Sequence, residues 1–280
     1  MGNWHFGFSA LFLNLMAVRL ALPFITAMVL LFPFCSRATE TPEQMAARAR
    51  AERTYVLAHQ RVQSVPADAE AAWLLGRACF DVADLTDKNA VRAERAQEGI
   101  AACRQAMALN PKLVQGPYYL GLNLGQLART KSMGALKLLP QMETSLKQAI
   151  ALDPAFDFSG PHRSLGLLYF DAPGWPVSLG SRSKARFHLQ KAAELSRDFP
   201  ENRLALLEAY WKWGEHELVL AQLSAAEQVF KVARSKLTGE DWAMSWQDWT
   251  HRLEQLQAKA RTLRPAQADK RSRQVVERKN

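Results

Sequence analysis

The segment from Phe156 to Ser183, "FDFSGPHRSLGLLYFDAPGWPVSLGSRS", brings together side chains that acid–base chemistry uses. His162 stands beside Arg163, and Asp171 follows nine residues after the histidine. A histidine near an acid can transfer a proton, and an arginine can bind a carboxylate. The same segment holds three prolines and four glycines, which are typical of turns. These residues alone are compatible with a catalytic loop and with a structural joint between helices.

Motifs elsewhere in the chain do not support an enzyme. The sequence has no His-Glu-x-x-His, no Cys-x-x-Cys, no Gly-x-Ser-x-Gly and no Gly-x-x-x-x-Gly-Lys. His162 falls at a core position of its predicted helix, and acids such as Asp153, Asp157 and Asp171 beside helix ends favour caps and turns. We expect no catalytic residue, no metal and no cofactor. An enzyme that uses His162, Arg163 and Asp171 is the third of three hypotheses.

The elements that position these residues recur along the chain. Leu75-Gly76, Leu120-Gly121 and Leu165-Gly166 are spaced by 45 residues, twice. Two segments of similar sequence end at Pro111 and Pro154, 43 residues apart. Similarity at a fixed period predicts a stacked array of supersecondary units. Each unit is predicted to be two helices, the second one stopped by proline.

The repeated glycine predicts close contact between the two helices of a unit. A glycine inside a helix costs about 1 kcal/mol against alanine. The same cost at Gly76, Gly121 and Gly166 indicates a place where no side chain fits between helices. In a fourth, divergent unit, Glu208 stands at the glycine position.

This pattern resembles the tetratricopeptide repeat. The residues that carry the resemblance are Leu75, Gly76, Cys79, Ala106, Leu109 and Pro111, then Leu120, Gly121, Leu124, Ala149, Leu152 and Pro154, then Leu165, Gly166, Tyr169, Ala185, Leu189 and Ala192. The resemblance implies an all-α fold, a helical-hairpin array of the tetratricopeptide-like α-solenoid kind. The standard unit has 34 residues, so we expect extended loops inside the units, at residues 84–93, 129–140 and 171–183.

The long loops resemble a narrower family within the tetratricopeptide proteins. Loop texture and spacing over roughly residues 70–215 are similar to the TatT-type accessory components of TRAP transporters. That resemblance implies an exported protein that binds a transporter's solute-binding subunit, a small amphipathic organic ligand, or both. It also implies self-association into a homo-oligomer.

The two ends of the chain differ from the repeats. Residues 1–38 have the layout of a secretory signal peptide, with an apolar run from Leu20 to Phe34 and cleavage after Ala38, and translation could begin at Met16. A retained membrane anchor is the alternative, and we do not expect lipidation at Cys35. The signal predicts a periplasmic or cell-envelope location.

Two predicted caps close the repeat domain, which we place at residues 39–262. A capping box at Thr41 to Gln44 opens an N-terminal helix that ends near Ser64. An apolar stripe forms a C-terminal capping helix, and its members are Trp242, Trp246, Trp249, Leu253 and Leu256. A basic tail follows at residues 263–280 and is predicted to be disordered.

The net charge of +9 reflects that tail in part, because it holds six basic and two acidic residues from Arg264 onward. Such a tail suits anionic surfaces, although a solvated end is its usual role. We expect no nucleic-acid partner.

First helices of a repeat array line its concave side. Counting from each glycine gives a row of predicted inward-facing residues: Trp73, Arg77, Phe80, Tyr118, Leu122, Arg163, Leu167, Phe170, Lys212 and Trp213. The row is apolar and aromatic with arginines, which suits an amphipathic ligand or a partner. The alternative is that these residues are core. Cys79 and Cys103 form either a disulfide or two buried thiols.

The sequence therefore predicts an exported, non-enzymatic binding protein. The first hypothesis is a TatT-like accessory protein of a TRAP-type solute transporter. The second is a general periplasmic scaffold of tetratricopeptide type for protein–protein interaction.

Overall fold

The computed structural model describes residues 41–131 and 134–277, with side chains to residue 263. Over these residues the fold is all-α, as the sequence predicts, and no β-strand occurs in the described part of the chain. The helices are α1 (Pro42–Ser64), α2 (Ala69–Leu85), α3 (Asn89–Leu109), α4 (Gln115–Arg129), α5 (Leu139–Leu152), α6 (Phe156–Asp171), α7 (Arg182–Leu195), α8 (Pro200–Lys212), α9 (His216–Lys236) and α10 (Ala243–Glu277). Short 3₁₀ turns lie at Ala135–Lys137 and Glu240–Trp242.

Four antiparallel pairs form the array: α2 with α3, α4 with α5, α6 with α7 and α8 with α9. The glycine prediction is confirmed at all three equivalent positions. A Cβ atom on Gly76 would lie 2.3 Å from Cys103 Sγ, and one on Gly166 would lie 2.8 Å from Leu189 Cγ. A Cβ on Gly121 would lie 3.0 Å from Leu146. Each first helix therefore touches its partner through backbone instead of through a side chain.

The connections inside the pairs differ in length. The first pair is joined by residues 86–88 alone, and the expected loop at 84–93 is mostly helix, because α2 and α3 both extend into it. The second connection contains the 3₁₀ turn at Ala135–Lys137, and the third spans residues 172–181 between α6 and α7. The extra length of the repeat thus becomes helix in the first unit and loop in the other two.

The helix α1 begins as the capping box predicts. Thr41 accepts a hydrogen bond from the backbone N–H of Gln44, and the Gln44 side chain accepts one from the backbone N–H of Thr41. The alanines of α1 pack on α2, and its Arg50 donates to the carboxylate and the carbonyl of Glu240 at 3.1 and 3.2 Å. The first described helix is therefore tied to the 3₁₀ turn that precedes the last one.

The helix α10 covers the last pair as predicted, with Trp249, Leu253 and Leu256 buried and Trp246 partly buried, while Trp242 is buried in the 3₁₀ turn before it. The sequence did not reveal the ion cluster beneath it. Arg252 donates to Glu201 on α8 at 2.8 and 3.2 Å and to Glu208 at 2.7 and 2.8 Å.

Arg252 also shifts the pKa of the buried Glu201 carboxyl group. Although burial by itself raises the pKa of Glu201, the charge and hydrogen bonds of Arg252 hold that pKa below its ordinary value. The Trp249 indole N–H donates to the same carboxylate at 2.8 Å. Glu201 is thus a buried anion whose charge is balanced from α10.

The remaining predictions concern the N-terminal segment at residues 1–38 and the C-terminal tail at residues 263–280. The predicted signal peptide at residues 1–38, with Cys35, lies outside the described residues. The helix α10 continues to Glu277, so the backbone is helical over most of the segment predicted as a disordered tail. In the described part of the chain, no helix has the length and apolar character that a membrane span requires.

We predict that Gly166→Ala destabilises the fold by about 1–3 kcal/mol, since the new methyl group overlaps both the side chain and the backbone nitrogen of Leu189. Urea unfolding followed by circular dichroism measures the change. Gly174→Ala is the matched control, because its Cβ meets no atom closer than 3.9 Å. Equal stability of the two variants would contradict a close helix contact at Gly166.

We predict that Arg252→Met costs about 3–5 kcal/mol, because it leaves the buried Glu201 carboxylate without its cation. Arg234→Met, at an exposed arginine on α9, is the control and is expected to change stability by less than about 1 kcal/mol. Tryptophan fluorescence during denaturation reports both. If Arg252→Met lowers the free energy of unfolding no more than Arg234→Met does, the ion cluster contributes little to stability.

Candidate functional site

A cavity of about 670 Å³ lies where α1, α2 and the second 3₁₀ turn meet. This volume is typical of sites that bind small molecules or peptide side chains. Its lining is rich in arginine, over a small apolar floor. The lining residues are Arg50, Arg53, Thr54, Leu57, Ala58, Arg61, Leu74, Arg77, Asp81 and Asp241.

The helix α1 supplies one wall of the cavity through a single helical stripe. Its lining residues follow at steps of three and four along the chain, from Arg50 to Arg61, which places them on one face. Ala47 and Ala51, together with the lining residue Ala58, are buried where α1 packs on α2. Small residues bring the two helices close, and the long arginine side chains rise beside that contact.

The opposite wall, on α2, carries an arginine and an acid. Arg77 Nε lies 3.7 Å from Asp81 Oδ2, one helical turn further on. Burial raises the pKa of Asp81 to about 7, against the opposing effect of Arg77. Four arginines and two aspartates line the cavity, and Glu240 pairs with one of those arginines, Arg50, at its edge.

The predicted row of inward-facing residues divides into three groups in the structure. Arg77 lines the cavity, and Trp73 stacks on Tyr119 with ring centroids 6.1 Å apart. A second group is buried, and it consists of Phe80, Tyr118, Leu122, Arg163 and Leu167. The four apolar and aromatic members belong to the main hydrophobic core, which is the alternative that the sequence left open.

The third group lies at the α6–α8 end of the row. Phe170 and Trp213 meet edge to face at 5.6 Å, and Lys212 Nζ lies 5.0 Å from the centre of the Phe170 ring. Arg182 and Arg186 reach the Trp213 ring from α7. Aromatic and cationic side chains pack on one another here, away from the cavity lining.

Arg163 is a structural residue in this fold. Its Nη1 donates to Asn202 Oδ1 at 2.8 Å and to the Phe158 carbonyl at 3.3 Å. Asn202 donates to the same carbonyl at 2.9 Å. Arg163 and Asn202 thereby hold the segment in which Asp157, Phe158 and Ser159 have φ of 54°, 53° and 61°.

Such left-handed backbone costs about 1–2 kcal/mol per residue outside glycine, so its contacts must compensate. Tyr118 donates to Asp157 at 2.7 Å, and the Phe158 ring stacks on Phe199 at 4.3 Å. The turn reverses the chain, and Pro161 then occupies the first turn of the regular helix. The start of the segment from Phe156 to Ser183 is therefore a structural joint.

The residues of the enzyme hypothesis do not assemble into a catalytic group. His162 Nδ1 lies 2.9 Å from His188 Nδ1, so one ring donates to the other. Burial lowers the pKa of His162, and burial together with His162 and nearby lysines lowers that of His188 to about 4. Asp171 lies at the far end of α6, about 13 Å away along the helix axis. The pair is a neutral contact between α6 and α7.

The two cysteines are buried free thiols, on α2 and α3. Burial raises the pKa of both Cys79 and Cys103. Since the thiolate is the reactive form, burial disfavours reaction at either thiol. The disulfide that the sequence left open is not formed in this structure.

A second cavity, of about 470 Å³, lies between the turn before α8 and the end of α9. Its floor is apolar, formed by Phe158, Phe199 and Leu237, and its rim includes the ion pair of Lys236 with Asp198 at 2.7 Å. Charges of both signs balance at this rim. Across the described residues, no group of three or more histidine, cysteine or acidic side chains could hold a metal ion.

Comparison with known proteins identifies the fold. A family model described as regulator of microtubule dynamics protein 1-3 matches residues 37–171, slightly less than half of the chain. The structure is similar to TTC0263, a thermophilic tetratricopeptide-repeat protein of Thermus thermophilus, with a TM-score of 0.55 and 23% identity over 77% of this chain and 94% of that one. No curated protein matches.

Weaker structural similarity extends to MamA. The MamA 41-end structure from Desulfovibrio magneticus RS-1 has a TM-score of 0.46 and 14% identity over 69% of this chain and 98% of that one. The MamA RS-1 ArsTM double mutant has a TM-score of 0.46 and 16% identity over 70% and 99%. The fold is therefore that of a tetratricopeptide-like helical-repeat protein, on the TTC0263 match.

We predict that Asp171→Asn flattens the dependence of stability on pH. Burial raises the pKa of Asp171 to about 7, and its Oδ2 has no hydrogen-bond partner among the described residues. The native state keeps this proton after the unfolded chain has lost it near pH 4, so wild-type stability falls as the pH rises from about 4 to about 7. The free energy of unfolding of Asp171→Asn should fall less than that of the wild type over this pH range.

Urea titrations at intervals across that pH range measure the effect, with Asp87→Asn at an exposed carboxyl as the control. Parallel pH profiles of wild type and Asp171→Asn would contradict the prediction.

Proposed function

We propose that this protein is a non-enzymatic helical-repeat scaffold that binds a protein partner in the cavity between α1 and α2. The observation that carries the proposal is the arginine-walled cavity itself. It is open to solvent at Leu57, a large apolar side chain that is 66% exposed. Exposed apolar side chains with an arginine rim are typical of protein-binding sites.

The remaining chemistry of the chain supports a binding role. His162, Arg163, Cys79 and Cys103, the side chains best suited to catalysis, are occupied in packing and internal hydrogen bonds. The long insertion at 172–181, in the array's third pair, holds Trp175, which is 88% exposed. A non-enzymatic role is consistent with the packing of these side chains, and a scaffold with more than one contact surface is consistent with the exposed Trp175.

The family and structural matches reported above do not support a TatT-like accessory protein of a TRAP transporter or a bound amphipathic solute. The proposal therefore keeps the general scaffold, with the envelope location that residues 1–38 predict. Co-purification of a solute-binding subunit with the protein from its own envelope would restore the transporter hypothesis.

The test is photo-cross-linking from within the cavity. A benzoylphenylalanine residue replacing Leu57 should form a covalent adduct with the partner in living cells, identified by mass spectrometry. The same residue replacing Val232, exposed on α9, is the control. Adducts of the same protein in equal yield from both positions, or none from Leu57, would overturn the proposal.

A second candidate role rests on the family match over residues 37–171, whose description names regulators of microtubule dynamics. The net charge of +9 favours association with an acidic polymer. Co-sedimentation of the protein with assembled microtubules tests this role. Retention in the supernatant at low ionic strength would exclude it, and a pellet that forms would also argue against export.

A further inference from the structure

We infer that the α1–α2 cavity takes an acidic, amphipathic peptide segment of the partner. This inference rests on the proposed function and names the chemistry of the same site. Three observations lead to it: the sign of the charge along the cavity, the length of the arginine stripe and the position of the apolar floor between the walls.

The charge of the lining selects an anionic segment. Four arginines face two aspartates, and one of those aspartates, Asp81, is buried beside Arg77. Arg53 is exposed and makes no ion pair with any described residue, while Arg50 and Arg61 share their charge with Glu240 and Asp68 at 3.1 and 3.0 Å on the rim. Carboxylates match guanidinium groups in planar, two-bond geometry.

The length of the stripe selects a chain instead of a point ligand. Arg50 and Arg61 are eleven residues apart on α1, which corresponds to about 16 Å along the axis. An extended peptide of about five residues, or an equal length of helix, spans that distance. A small anion would contact one end of such a stripe and leave the other arginines unused.

The floor selects apolar side chains next to the acidic ones. Leu57 and Ala58 from α1 and Leu74 from α2 are the apolar members of the same lining, and Leu57 lies at its opening. A segment that alternates acidic and aliphatic residues fits both features. The chain's own C-terminal segment does not, because it carries six basic and two acidic residues from Arg264 onward.

The experiment uses a defined probe, a fluorescein-labelled synthetic peptide that alternates Glu with Leu, and measures its fluorescence anisotropy with the full chain. Two matched peptides carry Gln or Lys in place of every Glu. We expect the Glu peptide to bind most tightly, and we expect its affinity to fall as salt screens the arginines. A single-stranded oligonucleotide serves as a competitor.

Two charge-reversal variants provide the structural control. Arg53→Glu should weaken binding of the Glu peptide by about tenfold, because an attraction becomes a repulsion. Arg197→Glu, at an exposed arginine on the rim of the second cavity, should leave it unchanged. Circular dichroism checks that both variants fold. Because Arg53 is exposed, its replacement should not disturb the core.

The outcomes separate this inference from the proposed function. Preference for the Gln or Lys peptide, equal competition by the oligonucleotide, or equal loss in both variants overturns the acidic-peptide inference. Failure of every peptide to bind overturns it as well, while a specific adduct from position 57 would leave the scaffold standing. Absence of both binding and adduct would overturn the two together.

Discussion

Close contact of the backbone of each first helix with the second helix, at one glycine per unit, determines the spacing of the helix pairs. At Gly76, Gly121 and Gly166 the first helix lies so close to the second that a single methyl group would overlap it. Since the contact recurs every 45 residues, each pair adopts similar spacing and the pairs stack. In the fourth unit Glu208 takes the glycine position and pairs with Arg252 on α10. The repeat therefore ends where a charged side chain replaces the backbone contact.

The proposed binding surface lies where the repeat symmetry is broken. The helix α1 belongs to no repeated pair, yet it supplies three of the four arginines in the larger cavity. The central first helices α4 and α6, in contrast, are buried along most of their length and act as core. Because their side chains are committed to packing, the terminal elements are the ones that can vary in charge. The buried cluster of Glu201 and Arg252 at the other end of the array serves stability instead.

The sequence predicted what depends on local pattern. The period, the stop signals, the Thr41 capping box and the close contact at the glycines all follow from residues near one another in the chain, and the structure contains them. The pairing of Arg163 with Asn202, of His162 with His188 and of Glu201 with Arg252 joins residues far apart in sequence, and no local pattern encodes it. The arginine stripe on α1 is present in the sequence as Arg50, Arg53 and Arg61, whose spacings of three and eight residues place them on one helical face. The capping box marks α1 as the end of the array, and the repeat pattern locates inward-facing positions on the repeated helices alone, so neither pattern identifies this stripe as a cavity wall.

The bond between Arg50 and Glu240 has a mechanical meaning for such a molecule. A stack of helix pairs behaves like a spring, whose curvature changes easily because each pair touches only its neighbours. A brace between its first and last parts restricts that bending and sets the width of the opening beside Arg50. Glu240 is 88% exposed, so dissolved ions weaken the brace. Salt therefore loosens this tie between the first described helix and the turn before α10 without disturbing the buried core.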